Sequence, residues 1–417
     1  DENMLLEYVE RKISLALSKY PKVRDVIKFF YLYIASLFGI ILNKNKTVIQ
    51  SKIYEISIDD SEESFFGYYD HSPMSSNGRY VLFHSSAFST KRHPKKVKYI
   101  SICVKDLLNN KVYKLYDTRA FNWQQGSRLM WIDDDNIIFN DYENNGYISV
   151  VYSLSLMKVI KKINYPIYDV NNYKAVTLDF SWLAKYDSDY GYYNKKSFST
   201  DISIINLNTG GIELFLSLDE MLKRTNFKCN IDVEHVVNHF MFAPDGRSVM
   251  FIHRYYTPKG KRERLIHWNL INDNVRVLIN ESIISHCCWN GNDEIIGFFG
   301  AEIDSLNYYR LSIESCNTEK LFFDARKYSD GHPTIVHNRY IISDTYPDKN
   351  RIKKLFVYDL VKNDYRELGL FYESMSFFSY SRCDLHPRIS VDNRFLFVDS
   401  VHSGKRKLYF MRSGICE

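Results

Sequence analysis

Five of the twelve histidines, His71, His239, His286, His332 and His386, each stand just ahead of a short β-rich run, at one equivalent position. A lone histidine at a strand start is ordinarily a structural hydrogen-bonding group; five in one register imply a shared polar pocket. Neutral imidazole is a general base near neutral pH, and beside a carboxylate it ligates zinc or manganese. Other polar residues fall close to these positions. Tyr68, Tyr69 and Asp70 precede His71, Asn238 precedes His239, and Arg254 ends the strand that follows it. Gln125 and Arg128 mark a sixth place, and Arg382 and Asp384 precede His386. An arginine there suits a carboxylate or phosphate on a ligand.

The elements that must position these residues repeat. The markers at 71, 125, 239, 286, 332 and 386 are separated by 54, 114, 47, 46 and 54 residues. The single gaps match one four-stranded unit, and the long one matches two, with an unmarked unit beginning near Tyr173–Asp179. Each marker is followed by a turn and a second strand, as in NGRYVLF, DGRSVMF, HNRYIIS and DNRFLFV. Such repetition predicts an all-β, seven-bladed β-propeller, whose first strands line a central channel. The last unit runs out after three strands before Glu417, and KIYEIS at 52–57 is expected to complete it, leaving no open sheet edge. The propeller is assigned residues 47–417.

Residues 1–46 read differently. Arg11, Lys12, Lys19, Lys22, Arg24 and Lys28 lead into an uncharged run from Phe29 to Leu42, followed by Lys44 and Lys46. A membrane span needs about 20 apolar residues, so residues 5–42 predict a helical segment making peripheral membrane contact or packing on the protein. The seven cysteines form no CxxC pair and no secretory signal is visible, which favours a cytoplasmic place, at the inner face of the cytoplasmic membrane. The net charge of +5 and the basic run Lys91 to Lys98 come without a nucleic-acid-binding motif, so no nucleic-acid partner is expected. No HExxH, GxSxG, P-loop or dinucleotide fingerprint occurs. Aromatic residues make up 16% of the chain; they favour strands and also serve as platforms for sugars.

Several segments resemble the bacterial oligogalacturonate lyase-like β-propellers, in a branch associated with surface-polysaccharide gene clusters. These are FGYYDHSP (66–73), LDFSWLAKYDSDYGYY (178–193), VNHFMFAPDGRSVMFIHRY (237–255), SHCCW (285–289), DGHPTIVHNRYIISDTYPD (330–348) and RCDLHPRISVDNRFLFVDSVHSGKRKLY (382–409). The resemblance implies a divalent metal, Mn or Zn, on His332 and His386 with Asp384, and His286 as the catalytic histidine. It implies Arg254 as the arginine acting on a uronic acid, with His239 beside it. Ser381 and Asp384 stand where the family has a glutamine and a histidine. Tyr69, Asp70, His71, Gln125, Arg128, Asn238 and Arg382 are the expected substrate-binding groups, for a polysaccharide or oligosaccharide. Three functions remain in view: a β-eliminating enzyme on a uronate-containing polysaccharide, a glycosyltransferase or other glycan-assembly enzyme at the inner membrane, and a non-catalytic glycan- or protein-binding propeller.

Overall fold

The computed structural model describes residues 21–417 except 43, 187–188, 196–197, 229–231, 259, 303–304, 322–329 and 416–417. The part of the expected helical segment before residue 21, and Cys229 and Cys416, lie outside the described residues.

The described chain is mostly antiparallel β, in six hydrogen-bonded sheets. Four sheets have four strands, one has five and one has seven. The first runs outward through Glu63–Phe65, Tyr80–Ser86, Ile100–Asp106 and Lys111–Thr118. The last joins the two ends of the chain: Ile53–Ile56 pairs with Lys407–Arg412, placing Tyr54 opposite Phe410.

The sequence predicts seven separate units, and the structure differs at the fourth and fifth. The 17-residue strand Asn274–Asn290 pairs through its first half with Gly260–Asn269 and through its second with Glu294–Gly300. It is the outer strand of one four-stranded run and the inner strand of the next, so the two runs form one seven-stranded sheet. The unmarked unit also starts earlier than expected, at Asp169–Asn171, and Lys174–Thr177 is its second strand.

Alternating apolar residues fill the layers between successive runs. Val81 and Phe83 pack with Ile137 and Phe139. Ile138 and Val151 pack with Ala175 and Ile205, and Val176 and Ile204 with Phe240 and Phe251. Met250 and Leu265 meet Trp289 and Ile295 across the two halves of the seven-stranded sheet. Ile296 and Phe298 meet Ile341 and Phe356, and Ile342 and Leu355 meet Leu396 and Val398. Phe397 and Leu408 return to the cluster of the first sheet. Among the described residues helix α1 (Pro21–Ile41) precedes the sheets, and none of their helices is long and apolar enough to cross a membrane.

Candidate active site

Four of the five histidines gather in an arc. Ring centroids are 5.2 Å apart for His239 and His286, 4.1 Å for His286 and His332, and 4.2 Å for His332 and His386. β-Bulges turn the first two inward. His239 and Phe240 together face one residue of the neighbouring strand, and Ser285 and His286 do the same. His239 and His386 adopt positive φ, 56° and 46°, a backbone region that non-glycine residues enter only when surrounding contacts hold them there.

Carboxylates on neighbouring strands supply those contacts. Asp344 accepts from the backbone N–H of His332 at 2.8 Å and of His386 at 3.1 Å. Glu263 accepts the N–H of Ile284 at 2.7 Å, two residues before His286. Asp169 accepts the N–H of Phe242 at 2.7 Å, three residues after His239.

The hydrogen bonds fix how each ring is used. Nδ1 of His386 donates to the carbonyl of Gly67 at 2.7 Å, and Nδ1 of His332 meets Asp344 Oδ1 at 2.9 Å. The Ser285 hydroxyl donates to Asp330 at 2.6 Å and therefore accepts from His286 Nδ1 at 2.9 Å. In all three rings Nε2 is buried and has no hydrogen-bond partner. His239 differs. Arginine can only donate, so the 3.1 Å contact from Arg254 to His239 Nε2 makes that nitrogen an acceptor. The proton of neutral His239 then sits on Nδ1 and donates to Tyr68 Oη at 2.6 Å. Both nitrogens are engaged.

Charge in the arc is uneven. Burial, together with the charge of His332, holds His286 below the usual imidazole range, so it stands neutral and basic at Nε2. Burial and Arg254 depress His239 further. Burial also disfavours a charge on His332, but Asp344, Asp384 and Asp330 outweigh it and raise its pKa. Burial pushes Asp384 up, yet Arg382 and His332 bring it to about 2. Arg382 holds both Asp384 oxygens at 2.8 and 2.9 Å, lies 3.5 Å from Asp189, and keeps part of its side chain open to solvent. Arg254 is buried against Glu263 at 2.6 Å.

His71 does not join the arc. Its Nε2 lies 2.5 Å from Asp169, and it lines a separate cavity of about 280 Å³ with Asp70, Asp169, Trp289 and Arg388. Tyr69 divides the two regions: its ring packs 5.3 Å from His332, and it also borders that cavity. Arg128 and Asp70 form a buried ion pair at 2.6 Å, and Gln125 donates to the Tyr168 hydroxyl at 2.9 Å. Arg128 and Gln125 are buried, and the Arg128 guanidinium lies 5.8 Å from the centre of the Tyr68 ring. Asn238 is fully buried beside His239.

Sequence reasoning named Tyr68 beside His71 and passed over three participants, Ser285, Asp330 and Asp344. Tyr68 lies at the centre, with its ring 5.1 Å from His386 and 5.8 Å from His239. Ser285 and Asp330 set the His286 tautomer, and Asp344 sets His332. Asp330 directly precedes Gly331 and His332 in DGHPT; nothing local marks the others.

No protein-family model and no curated protein matches the chain. Among solved structures, an oligogalacturonate lyase in complex with manganese superposes with a TM-score of 0.60 at 14% identity, covering 88% of this chain and 95% of that one. The oligogalacturonate lyase of Vibrio parahaemolyticus gives 0.60 at 12%, covering 88% and 96%. The fold is a lyase-like β-propeller. At that identity the likeness extends to the fold alone.

The residues present fit a divalent cation. His332, Asp384 and His386 each offer a ligand atom within 4.8 Å of the others. Two of those residues carry unpartnered buried Nε2 atoms, and acceptors on the far nitrogens aim both rings, as metal-ligating histidines require.

Proposed function

We propose that the protein is a carbohydrate-active enzyme that cleaves a uronate-containing polysaccharide or oligosaccharide by β-elimination, on a seven-bladed propeller. The count of seven takes each half of the seven-stranded sheet as one blade, and the contact of Met250 and Leu265 with Trp289 and Ile295 supports that division. The observation that carries the reaction is the neutral His286, whose Nε2 is unpartnered while Ser285 and Asp330 hold Nδ1.

A uronate's C5 proton is removable once the charge of its carboxylate is neutralised. Arg382 does this by a charge-assisted bond, a reading supported by its being the partly open cation of the arc. His332, His386 and Asp384 would hold Mn²⁺ or Zn²⁺, which when bound supplies further positive charge to the same carboxylate. His286 Nε2 takes the C5 proton, the C–H electron pair becomes the C4–C5 double bond, and the C4–O bond breaks. The departing oxygen takes a proton from solvent. His239 and Arg254 position the arc: both nitrogens of His239 are engaged, and Arg254 bridges it to Glu263.

The test is incubation with a panel of uronate polymers, following the ultraviolet absorbance of the unsaturated product. Activity that vanishes in His286→Ala supports the reading. Absence of product across the panel with metal added overturns it. One observation favours glycan assembly at the inner membrane instead: α1 packs on the segment that carries Arg382. Turnover of an activated sugar donor would identify that activity.

A further inference from the structure

Helix α1 is built inside out. Its inner stripe is Phe29, Leu32, Ser36 and Gly39, at the i, i+3, i+7, i+10 spacing of one face. That stripe is narrow where it meets the protein. Asn45 donates to the Ser36 carbonyl at 3.2 Å. A Cβ on Gly39 would lie 2.2 Å from Asn45 Oδ1 and 3.1 Å from Asn350 Oδ1, so a larger residue there would have to displace the Asn45 side chain. The opposite face carries Phe30, Tyr33, Ile34, Leu37, Phe38 and Ile41, which are 44% to 76% exposed. An ordinary surface helix turns such residues to the core. Contiguous apolar surface of this kind marks an interaction site.

Charge indicates the occupant. Lys22, Arg24 and Lys28 outnumber Asp25 at the start of the helix, exposed Lys44 and Lys46 follow it, and no acidic residue occurs from Val26 to Thr47. Basic ends around an apolar, tyrosine-bearing face suit the boundary between anionic headgroups and acyl chains. We propose that the outer face of α1 docks this protein on an anionic lipid surface, the helix lying in the plane of the interface.

The docked helix borders the active site. The Phe29 ring meets Phe378 edge-on at 5.3 Å, and Arg351 donates to the Phe377 carbonyl at 3.0 Å. Phe378 belongs to the segment that continues through Arg382 and Asp384, so the lipid surface lies beside that wall of the arc. Docking does not depend on the carbohydrate reading and is tested without substrate.

The experiment is co-sedimentation of the full chain with vesicles of phosphatidylcholine alone and of phosphatidylcholine with phosphatidylglycerol. Binding to the anionic vesicles is expected to weaken in high salt. It should fall at least about tenfold in the triple variant Phe30→Ser, Phe38→Ser, Ile41→Ser, whose thermal midpoint stays near that of the parent. Parent protein left in the supernatant at saturating anionic lipid overturns the proposal, as does full binding by the triple variant. Without vesicle binding, a dimer that the triple variant converts to monomer would assign the face to a second copy of the chain, and that also overturns it.

Discussion

Asp344 grips His332 at two points: one carboxylate oxygen accepts both its backbone N–H, at 2.8 Å, and its Nδ1–H, at 2.9 Å. The other oxygen accepts the N–H of His386 at 3.1 Å. One side chain thus sets the orientation of two of the three unpartnered Nε2 atoms. Asp344→Ala is expected to weaken Mn²⁺ binding about 10- to 100-fold, the usual cost of removing a partner behind a metal ligand. Isothermal titration calorimetry measures this; unchanged affinity would free His332 from dependence on Asp344.

Gly331 is the close approach that makes this grip achievable. A Cβ there would lie 1.8 Å from the Asp344 carbonyl oxygen, a backbone atom that cannot swing aside. Gly331→Ala should destabilise the protein by about 1–3 kcal/mol through overpacking and move His332 off Asp344. Urea denaturation reads the first effect and the histidine NMR signals read the second.

Glu373 is fully buried among cations. Lys353, also fully buried, holds it at 2.9 Å, Arg351 binds its other oxygen, and the Cys383 N–H donates to it at 3.1 Å. Removing one partner of such a cluster leaves uncompensated buried charge, costing about 3–5 kcal/mol. Glu373→Ala should lose stability on that scale, and adding Lys353→Met should recover part of it. Denaturant midpoints of the single and double variants settle the point; no recovery would show that the charge on Lys353 is not the source of the loss.

The ion pair of His71 and Asp169 makes stability depend on pH. Burial opposes charge on His71, but Asp169 outweighs it and raises the pKa above the usual 6.5. Its contribution is complete below 6.5 and is lost as pH rises through the raised folded value. Burial likewise pushes Asp169 up, but His71 brings it below 3.8, so its contribution is present above 3.8 and lost as pH falls through the lowered value. Both hold fully between those two ordinary values. His71→Gln should therefore lower the melting temperature more at pH 6 than at pH 9; equal losses at the two pH values would exclude the linkage.

Much of this was readable in the chain. Alternating strands, polar turns and the recurrence of one motif pointed to a propeller, because strand periodicity and turn chemistry are local properties. The gathering of His239, His286, His332 and His386 followed from their shared register. Their division of labour did not. The bulges at His239 and His286 each add one residue to a strand, which leaves no periodic trace, and His71 was drawn away by Asp169, 98 residues distant. The marker at His286 read as the start of a separate unit, whereas Asn274–Asn290 runs across that point as one strand, a continuity no local signal reveals.

The sequence by itself determined which residues were available: histidines at one position of each unit, carboxylates near the ends of neighbouring strands, and an uncharged run with basic ends. Tertiary structure decided which nitrogens stayed free. Each imidazole has two, and the one left over depends on an acceptor brought from another part of the chain, Gly67 for His386, Asp344 for His332 and Ser285 with Asp330 for His286. It also decided that α1 packs by the stripe of Phe29, Leu32, Ser36 and Gly39 and leaves most of its large residues outward, since a helix has two faces and only the surface it meets selects between them.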